Sequence, residues 1–426
     1  MRRVCLVLFL SISVLLAWQE KPGSSKTPLA ERVVRRMADN IKRLPDYTCR
    51  ESIERSVRNS GKDKYRDRVH IEVAFIQAGE LFAWPGSDRF EAGLIHQLAQ
   101  GTGAIGSGGF GGWTGSLFGA SHPYFQPAGA CAVEGRPGTR FDFYVPASAS
   151  THKIVLDGRS TTPAYGGFIC VDPDSADVLM LEVHDRAILL PIAECSETIH
   201  YGRTRVGEGE FLLPQSDELV ATDLAGNQSR NLTRFASCRQ YTSYSSIAFD
   251  TEGEGAAVPG EASHTTKPAK RELVLPPGLT LDLSLETPIR WESSAIGDPV
   301  QARLKHAIHA GDVAIPSGAT VSGRIHDLGL YHQLDAFFAV SLELDTAAFA
   351  SGRARFKARL VGPSLDTWSG DDAFYHGVQN LKRSTGLDMA TAPTPFGAFR
   401  VAGDRLHIDR GLHMIYRTEP FENAPQ

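Results

Sequence analysis

One short phrase occurs three times in the last third of the chain and limits what that part can fold into. In each copy an apolar pair leads into a two-residue turn, a glycine and an alternating apolar strand. The copies are Val274–Leu281, Val313–Val321 and Leu406–Met414. Their glycines, Gly278, Gly318 and Gly411, can take the positive φ that such turns need. The repetition predicts a β-barrel domain over residues 271–420.

The amino terminus has the pattern of a secretory signal. Met-Arg-Arg precedes an uncharged apolar stretch of 14 residues, Val4–Ala17, which is too short to span a membrane. We therefore assign residues 1–17 to a signal peptide and expect no transmembrane span. The expected location is the periplasm or the periphery of the outer membrane of a Gram-negative-type bacterium.

Composition excludes some partners. The chain has 426 residues, 42% of them apolar and 22% charged, as in an ordinary globular protein of two or three domains. Its net charge of −5 gives no reason to expect nucleic acid as a partner.

Five cysteines follow the signal peptide, and all lie before residue 240. An oxidising compartment allows four of them to pair, and the pairing cannot be read from the spacing alone. We expect Cys49 to pair with Cys238, because they lie in the first and last strands of the first domain. The second expected pair is Cys131 with Cys170, which leaves Cys195 free. The thiols are scattered singly, without the spacing of a zinc site.

A linker divides the chain. Residues 251–270 are rich in small and polar residues and contain one Val as their largest aliphatic side chain, so they cannot form a core. The first domain, residues 28–250, begins with a helix whose apolar residues recur every three or four positions, and a long series of alternating strands follows. We predict a mainly β fold: an antiparallel half-barrel with an N-terminal helix, followed by the second β-barrel domain.

Large apolar residues at alternate strand positions and in a glycine-rich segment are the candidate ligand-binding set. They are Val69, Ile71, Val73, Phe75, Phe110, Trp113, Phe118, Phe141 and Phe143. The alternative interpretation is that the strand rows are core residues beneath the helix. The glycine-rich segment, residues 101–120, is expected to be a mobile loop or a lid over an apolar cavity. Its G-x-G-x-x-G is not a dinucleotide site, because no βαβ unit surrounds it.

Two families resemble the two halves. The segment Phe168–Val183, in which a strand ends in an Asp-Pro turn and leads into the next strand, resembles the outer-membrane lipoprotein carrier (LolA-like) superfamily. This resemblance implies a half-open barrel whose apolar concave face accepts acyl chains. The phrases at Leu275–Leu281, Ile296–Val300 and Ala314–Arg324 are similar to the β-barrel of conjugative-transfer and type IV secretion channel proteins, a structural module without catalytic residues. Together the halves resemble exported proteins of acidobacterial type.

No motif for catalysis is found. G-x-S-x-G is absent, the histidines are dispersed, and Asp172, Asp174 and Asp177 fit a hairpin turn better than a calcium loop. We expect no catalytic residue, cofactor or metal.

The expected function is binding of a lipid or other apolar ligand by the half-barrel, with the second domain docking to an envelope partner. The alternatives are a structural component of the envelope without a ligand, and a hydrolase acting on lipid or glycan.

Overall fold

A computed structural model describes most of the chain. The described residues are 28–76, 79–87, 89–99, 112–121, 123–156, 159–186, 190–241, 271–311, 313–332, 336–350, 352–363 and 395–421. The expected signal peptide, the linker at 251–270 and Phe110 lie outside them.

One long helix precedes the strands. The helices are α1 (Pro28–Arg43), α2 (Leu94–Ala99) and α3 (Gly112–Gly115); α3 runs directly into a π-helix, Ser116–Ala120, and a 3₁₀ turn spans Ala147–Ala149. In α1, Pro28 suits the first helical position, and Val33 and Met37 are fully buried, as the spacing predicts. Asn40 is also buried, and its side chain both donates to and accepts from the backbone of Leu212 at 2.9 Å. This pair of bonds ties α1 to the sheet.

The first half is an open antiparallel sheet, as predicted. Its strands are β1 (Tyr47–Asn59), β2 (Lys62–Ile76), β3 (Gly79–Ala83), β4 (Gln126–Val133), β5 (Arg136–Val145), β6 (Ile154–Leu156), β7 (Arg159–Thr161), β8 (Ala164–Val171), β9 (Val178–Arg186), β10 (Ile192–Val206), β11 (Gly209–Asp223) and β12 (Gln228–Gln240). The ladder runs β4, β5, β8, β9, β10, β11, β12, β1, β2, β3, and β6 and β7 form a separate hairpin. With α1 on its inner face, this is the expected half-barrel.

The second half consists mostly of short strands, with Thr320–His332 and Ala336–Phe349 as its two long ones. Its strands are β13 (Arg271–Val274), β14 (Thr280–Leu285), β15 (Ile289–Arg290), β16 (Pro299–Leu304), β17 (Ile308–Ala310), β18 (Val313–Ile315), β19 (Thr320–His332), β20 (Ala336–Phe349), β21 (Gly352–Arg355), β22 (Lys357–Pro363), β23 (Phe399–Ala402), β24 (His407–Ile408) and β25 (His413–Glu419). Gly278, Gly318 and Gly411 have φ angles of 94°, 82° and 92°. The prediction of positive φ at all three repeated turns is confirmed.

Strand pairing does not close the second half into a complete barrel, in contrast to the expectation. Its ladder runs β21, β20, β19, β16, β14, β25, β22. The terminal strands β21 and β22 follow each other in the chain and are separated by Phe356, whose side chain is buried. Among the described residues no ladder pairs β21 with β22, so the pairing does not form a closed ring.

The two halves share a sheet and a core. Residues 329–331 of β19 pair with residues 65–67 of β2, and the backbone of Ile296 bonds to the backbones of Arg68 and His70 at 2.9 and 2.8 Å. Val69 belongs to the same apolar cluster as residues of β14, β16 and β20. The second half therefore packs directly on the inner face of β2.

The structure contains the two disulfides that the sequence analysis names. Cys49–Cys238 joins β1 to β12, and Cys131–Cys170 joins β4 to β8 across the intervening β5. A Cβ atom at Gly138 on β5 would lie 2.7 Å from the sulfur of Cys170, so only glycine leaves room for this bridge. Cys195 is the free cysteine.

Candidate functional site

A short helical segment covers part of the inner face of the half-barrel. This cover segment, residues 112–121, consists of α3, the π-helix and Ser121. Trp113, Leu117 and Phe118 are each no more than 2% exposed and share an apolar cluster with α1 and with strands β5, β8 and β9. Three large apolar side chains of the cover segment thus occupy the concave face that the sequence analysis assigns to a ligand.

The predicted ligand-binding residues divide into two separate groups. Trp113 and Phe118 of the cover segment pack in one apolar cluster with Phe141 and Phe143 of β5. Val69, Ile71, Val73 and Phe75 lie in the other apolar cluster, most of which the second half supplies. All of these except Phe75 are buried. Ligand binding by either group stays a prediction, and only the first group includes residues of the cover segment.

Polar contacts hold the cover segment in place. The indole N–H of Trp113 donates to Oε2 of Glu197 at 2.6 Å, and the ring stacks on His152 with centroids 4.3 Å apart. The Ser116 and Tyr165 hydroxyls lie 2.8 Å apart, and those of Thr114 and Tyr201 lie 3.1 Å apart. The cover segment is therefore fixed by buried hydrogen bonds as well as by apolar packing.

Buried carboxyl groups line the centre of the half-barrel. Glu51, Glu197 and Asp217 are 2%, 6% and 2% exposed. Burial raises the pKa of Glu51 to about 8, and the charge of Glu80 adds to the effect. Burial, followed by the charge of Glu197, raises the pKa of Asp217 well above its usual range. Burial also raises the pKa of Glu197, although hydrogen bonds from Asp217 and Trp113 act in the opposite direction. With its pKa at about 8, Glu51 favours the protonated form at neutral pH, and burial shifts the pKa of Asp217 and of Glu197 in the same direction.

The free thiol does not suit nucleophilic chemistry. Cys195 lies on β10, two residues before Glu197, and is partly buried. Burial, followed by the charge of Asp185, raises the pKa of its thiol. Because the thiolate is the reactive form, this shift disfavours the reactive form of Cys195 at neutral pH.

The Asp172 turn follows the sequence prediction, but the sequence analysis missed the buried acids. The carboxylate of Asp172 accepts the N–H groups of Asp174 and Ser175 at 2.9 and 3.1 Å, as expected of a side-chain-capped turn. A signal for the buried acids was present, since Glu51 and Glu197 stand at inward-facing positions of their alternating strands, each two residues from a buried Ile. Asp217 shows the same alternation on β11.

Among the described residues, no cluster of His, Cys, Asp and Glu could hold a metal ion. No helix in that part of the chain has the length and apolar character to cross a membrane.

Comparison with known proteins gives a remote likeness of fold. No family model matches the chain, and no curated protein matches it. The chain is similar to a DUF1329 family protein from Desulfovibrio piger, with 10% identity and a TM-score of 0.26, over 51% of this chain and 95% of that one. It is similar to a LolA superfamily protein from Nitrosomonas europaea, with 11% identity and a TM-score of 0.24, over 50% and 94%.

A third solved structure is an outer-membrane lipoprotein-sorting protein domain from Vibrio parahaemolyticus, with 9% identity and a TM-score of 0.25, over 51% of this chain and 95% of that one. Two of the three structures bear names that fit the superfamily resemblance found for residues 28–250. None of the three corresponds to the conjugative-transfer barrel or to an acidobacterial protein. At these TM-scores, the likeness by itself does not establish a function.

Proposed function

We propose that this protein is an exported, non-enzymatic binding protein of the cell envelope whose half-barrel holds a lipid or other apolar ligand beneath the cover segment. The observation that carries the proposal is the position of Trp113, Leu117 and Phe118. These side chains fill an apolar face formed by α1 and the inner sides of β5, β8 and β9. An apolar ligand that displaced them would replace one apolar contact by another.

Two further features support this function. Burial raises the pKa of Glu51 to about 8, which favours its protonated form at neutral pH, so an apolar ligand would not be placed beside a negative charge at this position. The two disulfides are typical of proteins that fold in an oxidising compartment, in agreement with the expected export. Docking of the second half to an envelope partner belongs to the same proposal.

The test is binding of a fluorescent fatty-acid probe by the wild-type protein and by Trp113→Ala. We expect the variant to bind the probe about tenfold more tightly, because the acyl chain can fill the space of the indole and bury a few more methylene groups. Because Trp113 is buried, we expect the variant without probe to lose about 3–5 kcal/mol in the free energy of unfolding, and we expect the probe to restore part of it.

Trp291→Ala is the matched control. Trp291 lies in the second half and packs on Phe338 with centroids 5.1 Å apart, so this variant should lower the melting temperature without changing probe affinity. Absence of probe binding by both the wild type and Trp113→Ala would overturn the proposal and favour a structural envelope component. Equal effects of the two Trp substitutions on probe affinity would show that the cover segment is not part of the binding site.

A further inference from the structure

A cleft with a basic lining lies along α1 and includes no residue of the cover segment. The cleft has a volume of about 390 Å³ and lies between α1, the turn from β8 to β9, and the strands β10 and β11. Its charged lining residues are Arg32, Arg35, Arg36, Asp39, Arg43, Asp177 and Arg203. Five guanidinium groups and two carboxylates leave a formal excess of three positive charges, on a chain whose net charge is −5. A concave site with this charge favours an anion.

Asp177 fixes two of the arginines. Its carboxylate accepts Nε of Arg36 at 2.6 Å, and it accepts Nε and a terminal nitrogen of Arg203 at 2.9 and 2.8 Å. The Asp177 side chain is 10% exposed, whereas those of Arg36 and Arg203 are 45% and 35% exposed. One buried carboxylate therefore holds two solvent-accessible guanidinium groups in place. Arg203 also lies 3.7 Å from the exposed carboxylate of Glu210, so the charge of Arg36 is the less compensated of the two.

Donors remain for a ligand. Arg36 uses only Nε on Asp177, and its terminal nitrogens make no hydrogen bond to any described residue. Arg35 lines the cleft, is exposed, and forms neither a hydrogen bond nor an ion pair within the described part of the chain. Arg32, in contrast, is held by the backbone oxygens of Pro173 and Asp174 at 3.3 and 2.6 Å.

The floor of the cleft is rigid. It includes Met37 and Leu212, which are 0% and 5% exposed, and Asn40, whose side chain is bonded to the Leu212 backbone. The arginines of α1 thus project from a helix that is fixed to the sheet beneath it, and Arg203 projects from the sheet itself. Such pre-organisation lowers the entropic cost of binding.

We propose that this cleft binds a phosphoryl group, with Arg35, Arg36, Arg43 and Arg203 as its donors. The planar guanidinium group matches the geometry of phosphate oxygens and can bind two of them at once. The volume is larger than inorganic phosphate needs and admits a phosphorylated headgroup or a small phosphate ester. The assignment rests on the cleft alone and does not depend on whether the half-barrel binds a lipid.

The experiment measures binding of inorganic phosphate by calorimetry and, separately, sedimentation with vesicles of phosphatidylglycerol or of phosphatidylcholine. The wild type is compared with Arg35→Gln, which removes a donor that makes no contact with the described protein. Lys42→Gln is the matched control, because Lys42 is exposed on the same helix but does not line the cleft. Circular dichroism of each variant checks that α1 is intact.

We expect Arg35→Gln to weaken phosphate binding about tenfold, since one charge-assisted hydrogen bond is lost, and Lys42→Gln to have no such effect. Binding to phosphatidylglycerol vesicles alone, with the same dependence on Arg35, would identify a lipid headgroup as the source of the phosphoryl group. Binding of inorganic phosphate alone would identify a soluble source. No binding in either experiment, or equal losses for Arg35→Gln and Lys42→Gln, would overturn the proposal.

Discussion

Glu51 shows how one residue can make the stability of this fold depend on pH. It lies on the inner face of β1, between the buried residues Cys49 and Ile53, and its Oε2 has no hydrogen-bond partner among the described residues. An ionised carboxylate at this position would be costly, so burial favours the protonated form. The folded state therefore holds a proton that the unfolded chain releases near pH 4.3, the usual pKa of glutamate.

The sign of the effect follows from this difference in bound protons. Between about pH 4.3 and about pH 8, the folded pKa of Glu51, the folded state binds one more proton than the unfolded state. We expect the free energy of unfolding to fall with rising pH across this window, with Glu51 contributing up to about 1.4 kcal/mol per pH unit. Chemical denaturation at several pH values should show that the free energy of unfolding of Glu51→Gln falls less steeply with rising pH than that of the wild type.

Glu54→Gln is the control for this prediction, because Glu54 lies on the same strand with its side chain 40% exposed. Its pH profile should match that of the wild type. A Glu51→Gln profile as steep as the wild-type profile would show that Glu51 does not carry the dependence.

At the scale of elements, the two disulfides connect strands at very different distances along the chain. Cys49–Cys238 spans 189 residues and joins the first and last strands of the first half, whereas Cys131–Cys170 spans 39 residues within one edge of the sheet. In the chain-entropy model, the longer loop restricts the unfolded chain more. The two bridges should therefore differ in how much they stabilise the same fold.

We expect replacement of Cys49 and Cys238 by Ala to lower the free energy of unfolding by about 1.4 kcal/mol more than replacement of Cys131 and Cys170, from the logarithm of the two loop lengths. Urea denaturation of the two double variants under identical conditions measures this difference, and each variant serves as the control for the other. An equal or reversed order would show that local packing, such as that around Gly138, outweighs loop entropy.

At the scale of the whole molecule, a buried ion pair lies where the halves meet. Arg55 and Asp67 have side chains 4% and 0% exposed, and two hydrogen bonds of 2.8 and 2.5 Å join them. The Tyr65 hydroxyl donates to the same carboxylate at 2.6 Å. Asp67 lies opposite Gly329 of β19, and burial raises the pKa of nearby Asp327 to about 7. This polar cluster lies beside the seam between the halves.

Asp67→Asn should lower the free energy of unfolding by about 3–5 kcal/mol, because Arg55 would stay buried without its carboxylate. Asp63→Asn is the control: the Arg58–Asp63 pair is 55% and 34% exposed, and its loss should cost no more than about 1 kcal/mol. Calorimetry should show one transition at a lower temperature for Asp67→Asn. Two separate transitions in the wild type would contradict a cooperative unit formed by both halves.

We predict that residues 271–426 fold without the first half, because they have a periodic strand pattern and contain no cysteine. The structure adds that this fragment would lose the pairing of β19 with β2 and the cover that β2 gives to Ile296. We therefore expect it to be less stable than the full chain.

The sequence by itself determined the local features. Gly278, Gly318 and Gly411 mark turns because only glycine takes positive φ at no steric cost, and Val33 and Met37 mark the buried face of α1 because helical spacing puts them on one side. Because apolar and polar side chains alternate along a strand, the strands could be predicted from the sequence. Their succession in the chain indicated an open, mainly antiparallel sheet.

Only the tertiary structure decided what each buried face meets. The sequence predicts that Val69, Ile71 and Val73 lie on the inner face of their strand. It does not show that the second half of the chain, and not a ligand, covers this face. The basic cleft depends on Asp177 and Arg203 meeting α1 across more than 130 residues of sequence. Contacts between distant segments depend on how the sheet coils and which faces pack together, and a local pattern of residues does not encode either.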